Sequence, residues 1–159
     1  MDAPNAEHGL HRYWRAAFTD EISDALIDVV VASAARFSSQ LSAFIFFHMH
    51  GAAARVHASA TAFALRRPQW DFDAIGQWRD GSESAAHIAW LRDVWNRAEP
   101  HLQGSAYVNH IAADDRPEKV RASYGNNHRR LCELKAEFDP TNLFRLNPNI
   151  LPASAAAEL

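Results

Sequence analysis

The segment VRASYGNNHRRLCELKAEFDPTNLFRLNPN, residues 120–149, decides how the rest of the chain is read. Val120, Tyr124, Leu131, Leu134 and Phe138 recur at spacings of three, four and seven, while Arg121, Arg129, Arg130, Glu133 and Lys135 fall elsewhere. That is the pattern of an amphipathic helix with one apolar stripe turned toward a core. Pro140 disfavours helical geometry at Asp139, so the helix is expected to end near Phe138 and give way to an extended, Asn-rich tail. The segment therefore predicts one helix from Glu118 to Phe138 followed by a tail that docks back on the protein.

Upstream, an acidic start at Asp20 and Glu21 leads into Ile22, Leu26, Val29, Val30 and Phe37, with Ser23 available as an N-cap, which predicts a core-facing helix. Ser42 to Gly51 is rich in β-branched and aromatic residues and bounded by small ones, as a strand would be. Alternation puts Phe44, Phe46, His48 and His50 on one face of it and Ile45, Phe47 and Met49 on the other. Short strands are expected at 54–56 and 60–67, an extended run over Trp70 to Ile75, and a last strand over Tyr107 to Ile111. Between them Ser84 opens a second long helix along Ile88, Leu91, Val94 and Trp95, closed by Pro100 and Gly104. Brief connections between successive strands imply antiparallel pairing. The predicted fold is α+β: an antiparallel sheet covered on one face by two or three helices, with an extended C-terminal tail. A single domain spans residues 13–152, and 1–12 and 153–159 are loose termini.

The 159 residues are 48% hydrophobic and 22% charged, ordinary values for one globular core. A formal charge of −3 argues against a nucleic-acid binder, which usually shows a basic stripe. Cys132 is the single cysteine, so no intrachain disulfide can form, as suits a reducing cytoplasm. No apolar run is long enough to span a bilayer, and the opening residues lack a signal-peptide pattern. A soluble, unexported, cytoplasmic protein is expected.

The string YGNNHRRLCELKAEFDPTNLFRLNPNI resembles the C-terminal signature of the berberine bridge enzyme-like FAD-linked oxidases. Tyr13-Trp14, Ile22-Ser23-Asp24, the Gly51 to Val56 run, the Ala60 to Arg66 run and Tyr107-Val-Asn109 follow in that family's order, so the resemblance covers about residues 13–152. It implies the substrate domain plus the piece that returns to the flavin domain. Nothing in the chain resembles the FAD-binding half. The implied cofactor is FAD, held through a separate domain or subunit, and the implied activity is oxidation of a small organic or sugar-like substrate by that assembly. A stand-alone binding or assembly module of the same fold is the alternative. Leu65, His110, His128 and Pro148 depart from residues common in the family.

By the same resemblance, Tyr107, Asn109, Asn147 and Asn149 contact the flavin or line the adjoining pocket. His110 is the first candidate for a base near neutral pH, with His48 and His50 as further candidates. Phe46, His48, His50 and Trp70 are assigned to the substrate side, on a sheet face the helices leave uncovered. That face would dock an FAD-binding domain or a second copy of the chain. His48-Met-His50, with His57 or Asp71 as a third contributor, is too little for a metal centre, and none is assigned. Trp90 and Trp95 are read as core, leaving Trp70 as the tryptophan of the pocket.

Overall fold

In the computed structural model, which describes residues 8–146 and 148–153, one strand carries all the sheet pairing. The strand β3 (Gln69–Trp78) pairs antiparallel with β1 (His11–Thr19) on one side and with β2 (Ala43–Met49) on the other, in the order β1-β3-β2. Alternation along β3 sends Phe72 and Ala74 to one face and Asp71 and Asp73 to the other. Partners share those faces: Phe46 lies opposite Phe72, and Phe47 opposite Asp71.

Two helices cover the face of Phe72. The first, α1 (Asp24–Ala34), starts where Ser23 Oγ accepts the Leu26 N–H at 3.3 Å, so the expected cap forms. After the short α2 (Ala52–Arg55) and β3 comes α3 (Ser84–Ala98), whose Leu91, Val94, Trp95 and Ala98 are buried. Leu26, Phe72, Ala74, Leu91 and Ala17 close the core between sheet and helices. Phe46 stacks on Phe72 at 4.7 Å, and Phe44 sits between Phe37, at 5.2 Å, and Trp90, at 6.1 Å. The expected α+β layering, a sheet with helices on one face, is the observed one.

The helix-covered face is not the one expected. Phe44 and Phe46 point into the core, so the uncovered face carries Ile45 and Phe47 instead. Alternation within β2 is as read; what selects the face is β3, whose Phe72 and Ala74 stand opposite Phe46 and Phe44. His48 and His50 remain exposed at the end of the strand.

Other differences have local causes. The chain is already a strand at His11, inside the stretch expected to be loose, because β1 fills an edge of β3. The stretch 54–56 belongs to α2 and the turn after it, and 60–67 forms an irregular loop. Tyr107 to Ile111 is a 3-10 turn, Val108–His110, because residues 103–105 have already taken the β1 edge. There the Gln103 N–H reaches Phe18 O, and the Phe18 N–H reaches Ser105 O, both at 2.8 Å.

The helix expected from 118 to 138 is two, α4 (Pro117–Tyr124) and α5 (His128–Phe138). Gly125 breaks it with φ 52° and ψ −134°, a backbone shape that essentially only glycine adopts. Asn127 Nδ2 anchors the break by donating to the carbonyls of Ala58 and Thr61 at 2.7 and 2.9 Å. The end at Phe138 is as read, and the Asp139 carboxylate accepts the N–H groups of Leu143 and Phe144. No helix among the described residues is long and apolar enough to cross a membrane.

Gly125→Ala is expected to destabilise the chain by about 1–3 kcal/mol through backbone strain alone. A Cβ there meets Leu65 Cδ2 and Ala64 Cβ only at ordinary contact distances, 3.5 and 3.6 Å. Urea unfolding of the two proteins measures the loss, and equal midpoints would show that the break tolerates a side chain.

Candidate functional site

Asp71 and Asp73 are two apart on β3 and so share the face away from the helices. Their strand neighbours are Phe18 and Phe47 for Asp71, Ala16 and Ile45 for Asp73. Walled by these apolar side chains, the two acids are only 3% and 4% exposed. Burying a carboxylate without a partner costs several kcal/mol, a cost that a nearby cation or a bound proton offsets.

His110 supplies it. Nδ1 lies 3.0 Å from Asp71 Oδ2 and 3.1 Å from Asp73 Oδ1. The 3-10 turn places the ring: Trp14 Nε1 donates to the His110 carbonyl at 3.1 Å, and the His110 N–H donates to Tyr107 O at 2.8 Å. The ring packs 6.2 Å from Phe47 and meets the Tyr107 ring edge-on at 5.2 Å.

Hydrogen bonding to Asp71, then to Asp73, pushes the His110 imidazole up to about 10 against the opposing effect of burial. Burial raises Asp73 above the usual carboxylate range, although its contact with His110 pulls the other way. These contacts favour the charged, donating form of His110. The acceptors on this face are the carboxylates. Asp73 was not singled out in the sequence, and Asp71 only as a metal contributor; Trp-Asp-Phe-Asp-Ala-Ile, with acids alternating against apolar residues, was the available signal.

Beside the cluster runs an open groove of about 1090 Å³ lined by Trp14, Asn109, Arg121, Arg145 and Asn149, among others. Asn109 and Asn149, forty residues apart in sequence, both line this groove. Asn109 Nδ2 donates to the Tyr107 hydroxyl at 3.0 Å, whereas the buried Asn149 Oδ1 accepts no hydrogen bond. Asn147 lies outside the described residues. The turn thereby faces two ways, His110 to the acids and Asn109 to the groove.

The other assigned residues stand apart. His48 stacks on Trp70 at 4.2 Å and on His50 at 4.4 Å. His48 and Trp70 lie opposite one another on the helix-bearing face, so the sheet separates them from His110. Phe46 is core packing on that same side.

Residues 106–151 match the family model described as berberine and berberine like. The chain belongs to the berberine bridge enzyme-like family and corresponds to the C-terminal portion of its members. It is 34% identical over 111 residues to the FAD-linked oxidoreductase YvdP of Bacillus subtilis, covering 69% of this chain and 24% of that one. To the monolignol oxidoreductase AtBBE-like 13 of Arabidopsis thaliana it is 34% identical over 106 residues, 59% of this chain and 18% of the other. The chain thus spans only a fifth to a quarter or so of the length of these relatives. Its fold is similar to that of a glycopeptide hexose oxidase solved with teicoplanin, with a TM-score of 0.78 at 22% identity, over 91% of this chain and 33% of the other.

The His110 pairing has a definite pH signature. Its folded value, about 10, lies above the unfolded 6.5, so the stabilisation is fully present below 6.5 and is lost as pH rises through 10. Wild type should therefore lose its stability advantage over His110→Gln between those values. Denaturant midpoints of both proteins across that range check this, and a constant difference would refute it.

Proposed function

We propose that this chain forms the substrate-side part of an FAD-dependent oxidoreductase, with the uncovered sheet face and the adjoining groove turned toward the flavin. The observation that carries this reading is the convergence of Asn109 and Asn149 in one groove, against the turn that sets His110 on Asp71 and Asp73. Asn149 Oδ1 is buried with no hydrogen-bond partner, an acceptor suited to a ring N–H, and Asn109 offers an amide elsewhere on the groove lining. A whole dinucleotide is another matter, because no glycine-rich turn leads into a helix N-terminus among the described residues to cradle its phosphates. The remaining contacts to FAD belong to a separate domain or subunit.

When bound, the flavin supplies the acceptor for two electrons. The chain's own residues close one side of the reaction space, hold the substrate and take up its proton. With His110 charged, Asp71 and Asp73 are the groups on this face able to accept that proton, and the imidazolium steadies the negative charge of the pair. The relative named for monolignols favours a small hydroxylated substrate. Phe47 and, on the C-terminal segment, Phe138, Leu143, Phe144 and Leu146 expose apolar surface that a covering domain would bury, and a second copy of this chain is the competing occupant.

The chain by itself should show no flavin absorbance. Supplied with a berberine-like FAD-binding domain, fused or co-expressed, it should yield a yellow complex. Asn109→Ala should then lower flavin occupancy, whereas Asp73→Asn should keep the flavin and slow its reduction by substrate about 10²- to 10⁴-fold. Undiminished reduction in Asp73→Asn removes that carboxylate from the chemistry. A chain that stays colourless and self-associates favours the assembly-module reading.

A further inference from the structure

Two arginines line the groove, and neither is neutralised. Arg121 comes from the last turn of α4 and Arg145 from the tail, so separate segments bring them to one cavity. Among the described residues neither guanidinium has a carboxylate partner or a hydrogen bond. The acids of the same lining do not balance them. Asp115 is already held by Arg15 at 2.6 Å, by Lys119 at 3.1 Å and by the Ala112 N–H at 2.8 Å. Glu118 is left as the free carboxylate against two free cations. The chain as a whole carries a formal charge of −3, so this cavity runs against the sign of its own protein.

The charge of Arg121 reaches along α5. Burial lowers the His128 imidazole and Arg121 lowers it further, whereas burial raises the Cys132 thiol and Arg121 pulls it back. Lowering favours the neutral ring, so His128 brings the groove no third cation. A guanidinium presents five N–H donors in a fixed fork that matches two oxygens on one atom. Its hydrogen bonds to an oxyanion are stronger than those to a neutral acceptor. The cavity, about 1090 Å³, has room for a small molecule, and Ile111, Val120 and Leu151 give its lining an apolar portion.

We propose that the groove binds a small hydroxylated acid whose carboxylate pairs with Arg121 and Arg145. The proposal rests on the substrate-side reading above and narrows it: the substrate carries an anionic group apart from the carbon that is oxidised. Charge selects the carboxylate. Two guanidiniums against Glu118 leave about one positive charge, which a single carboxylate cancels and a pyrophosphate overshoots. Binding energy from a group that does not react is available to orient the one that does, so the arginines act as positioning residues.

The test uses the whole chain without flavin, so its outcome is separate from the colour of a reconstituted complex. Labelled chain at neutral pH and low salt is titrated with 4-hydroxybenzoate, with 4-hydroxybenzyl alcohol as the neutral control, and with pyrophosphate. The Nε–Hε resonances of Arg121 and Arg145 are followed. The acid should shift both and bind at least about tenfold more tightly than the alcohol. Arg121→Gln and Arg145→Gln should each remove that margin; both side chains are exposed, so the variants should keep the wild-type backbone spectrum. No response by about 10 mM acid, equal binding of acid and alcohol, or a margin that survives both substitutions would overturn the proposal. Tighter binding of pyrophosphate than of the acid would also overturn it, by assigning the arginines to a cofactor's phosphates. A yellow reconstituted complex together with no acid binding would sink this proposal and leave the oxidoreductase reading standing.

Discussion

The period-two alternation of β3 is the constraint on which the structure depends. One strand, flanked on both sides, has to satisfy two incompatible environments, and its side chains divide accordingly. Phe72 and Ala74 close a core against α1 and α3, and Asp71 and Asp73 stand on the reverse side between aromatic and aliphatic neighbours. Shifting the register by one residue would put two carboxylates into the core and a phenylalanine where His110 needs an acid. The fold and the charged cluster are therefore specified by the same pairing.

The acids in turn govern the chain between β1 and α4. A buried carboxylate pair is costly without a cation or a bound proton, and the cation comes on a turn that must be placed from outside the sheet. Residues 103–105 run along the β1 edge, so Tyr107 to His110 turns over the open face instead of joining it. On its far side the turn is held by a second charged group: Asp115 takes Arg15 at 2.6 Å and Lys119 at 3.1 Å, and accepts the Ala112 N–H at 2.8 Å. Lys119 also lies 5.2 Å over the Trp95 ring, which ties the first turn of α4 to the helix layer. The candidate site is thus built from a strand and a turn whose positions are set by separate, mutually supporting ionic contacts.

The break at Gly125 matters for the groove. A continuous helix would carry residues 126–138 straight on, about 20 Å for thirteen residues, and lead the tail away from Asn109. With Gly125 in a shape side chains disfavour and Asn127 tied to the loop at Ala58 and Thr61, the chain changes direction. Asp139 then holds the next turn through two backbone N–H groups, and Asn149 lines the same groove as Asn109. From the last residue of α5 onward the chain exposes Phe138, Leu143, Phe144 and Leu146, large apolar side chains set among exposed charged ones such as Arg129 and Arg130.

Much of this was legible in the residues. Ser23 as a cap, the strand over Ala43 to Met49, the helix from Ser84 and the stop at Phe138 before Pro140 all follow from local chemistry or from the berberine-like motif. These depend on neighbours within a few residues, or on a string specific enough to name a family. Which face of β2 meets the helices, the strand at His11 to Thr19, the Gly125 break and the charge on His110 do not. Alternation marks two faces but cannot say which is buried, since that depends on the strand alongside. A strand with weak alternation declares itself only by the edge it fills, and the state of an imidazole is decided by acids nearly forty residues away. The sequence by itself determined the elements and the kinship; only the tertiary structure decided the faces and the protonation, because both are properties of contacts between segments that the chain order keeps apart.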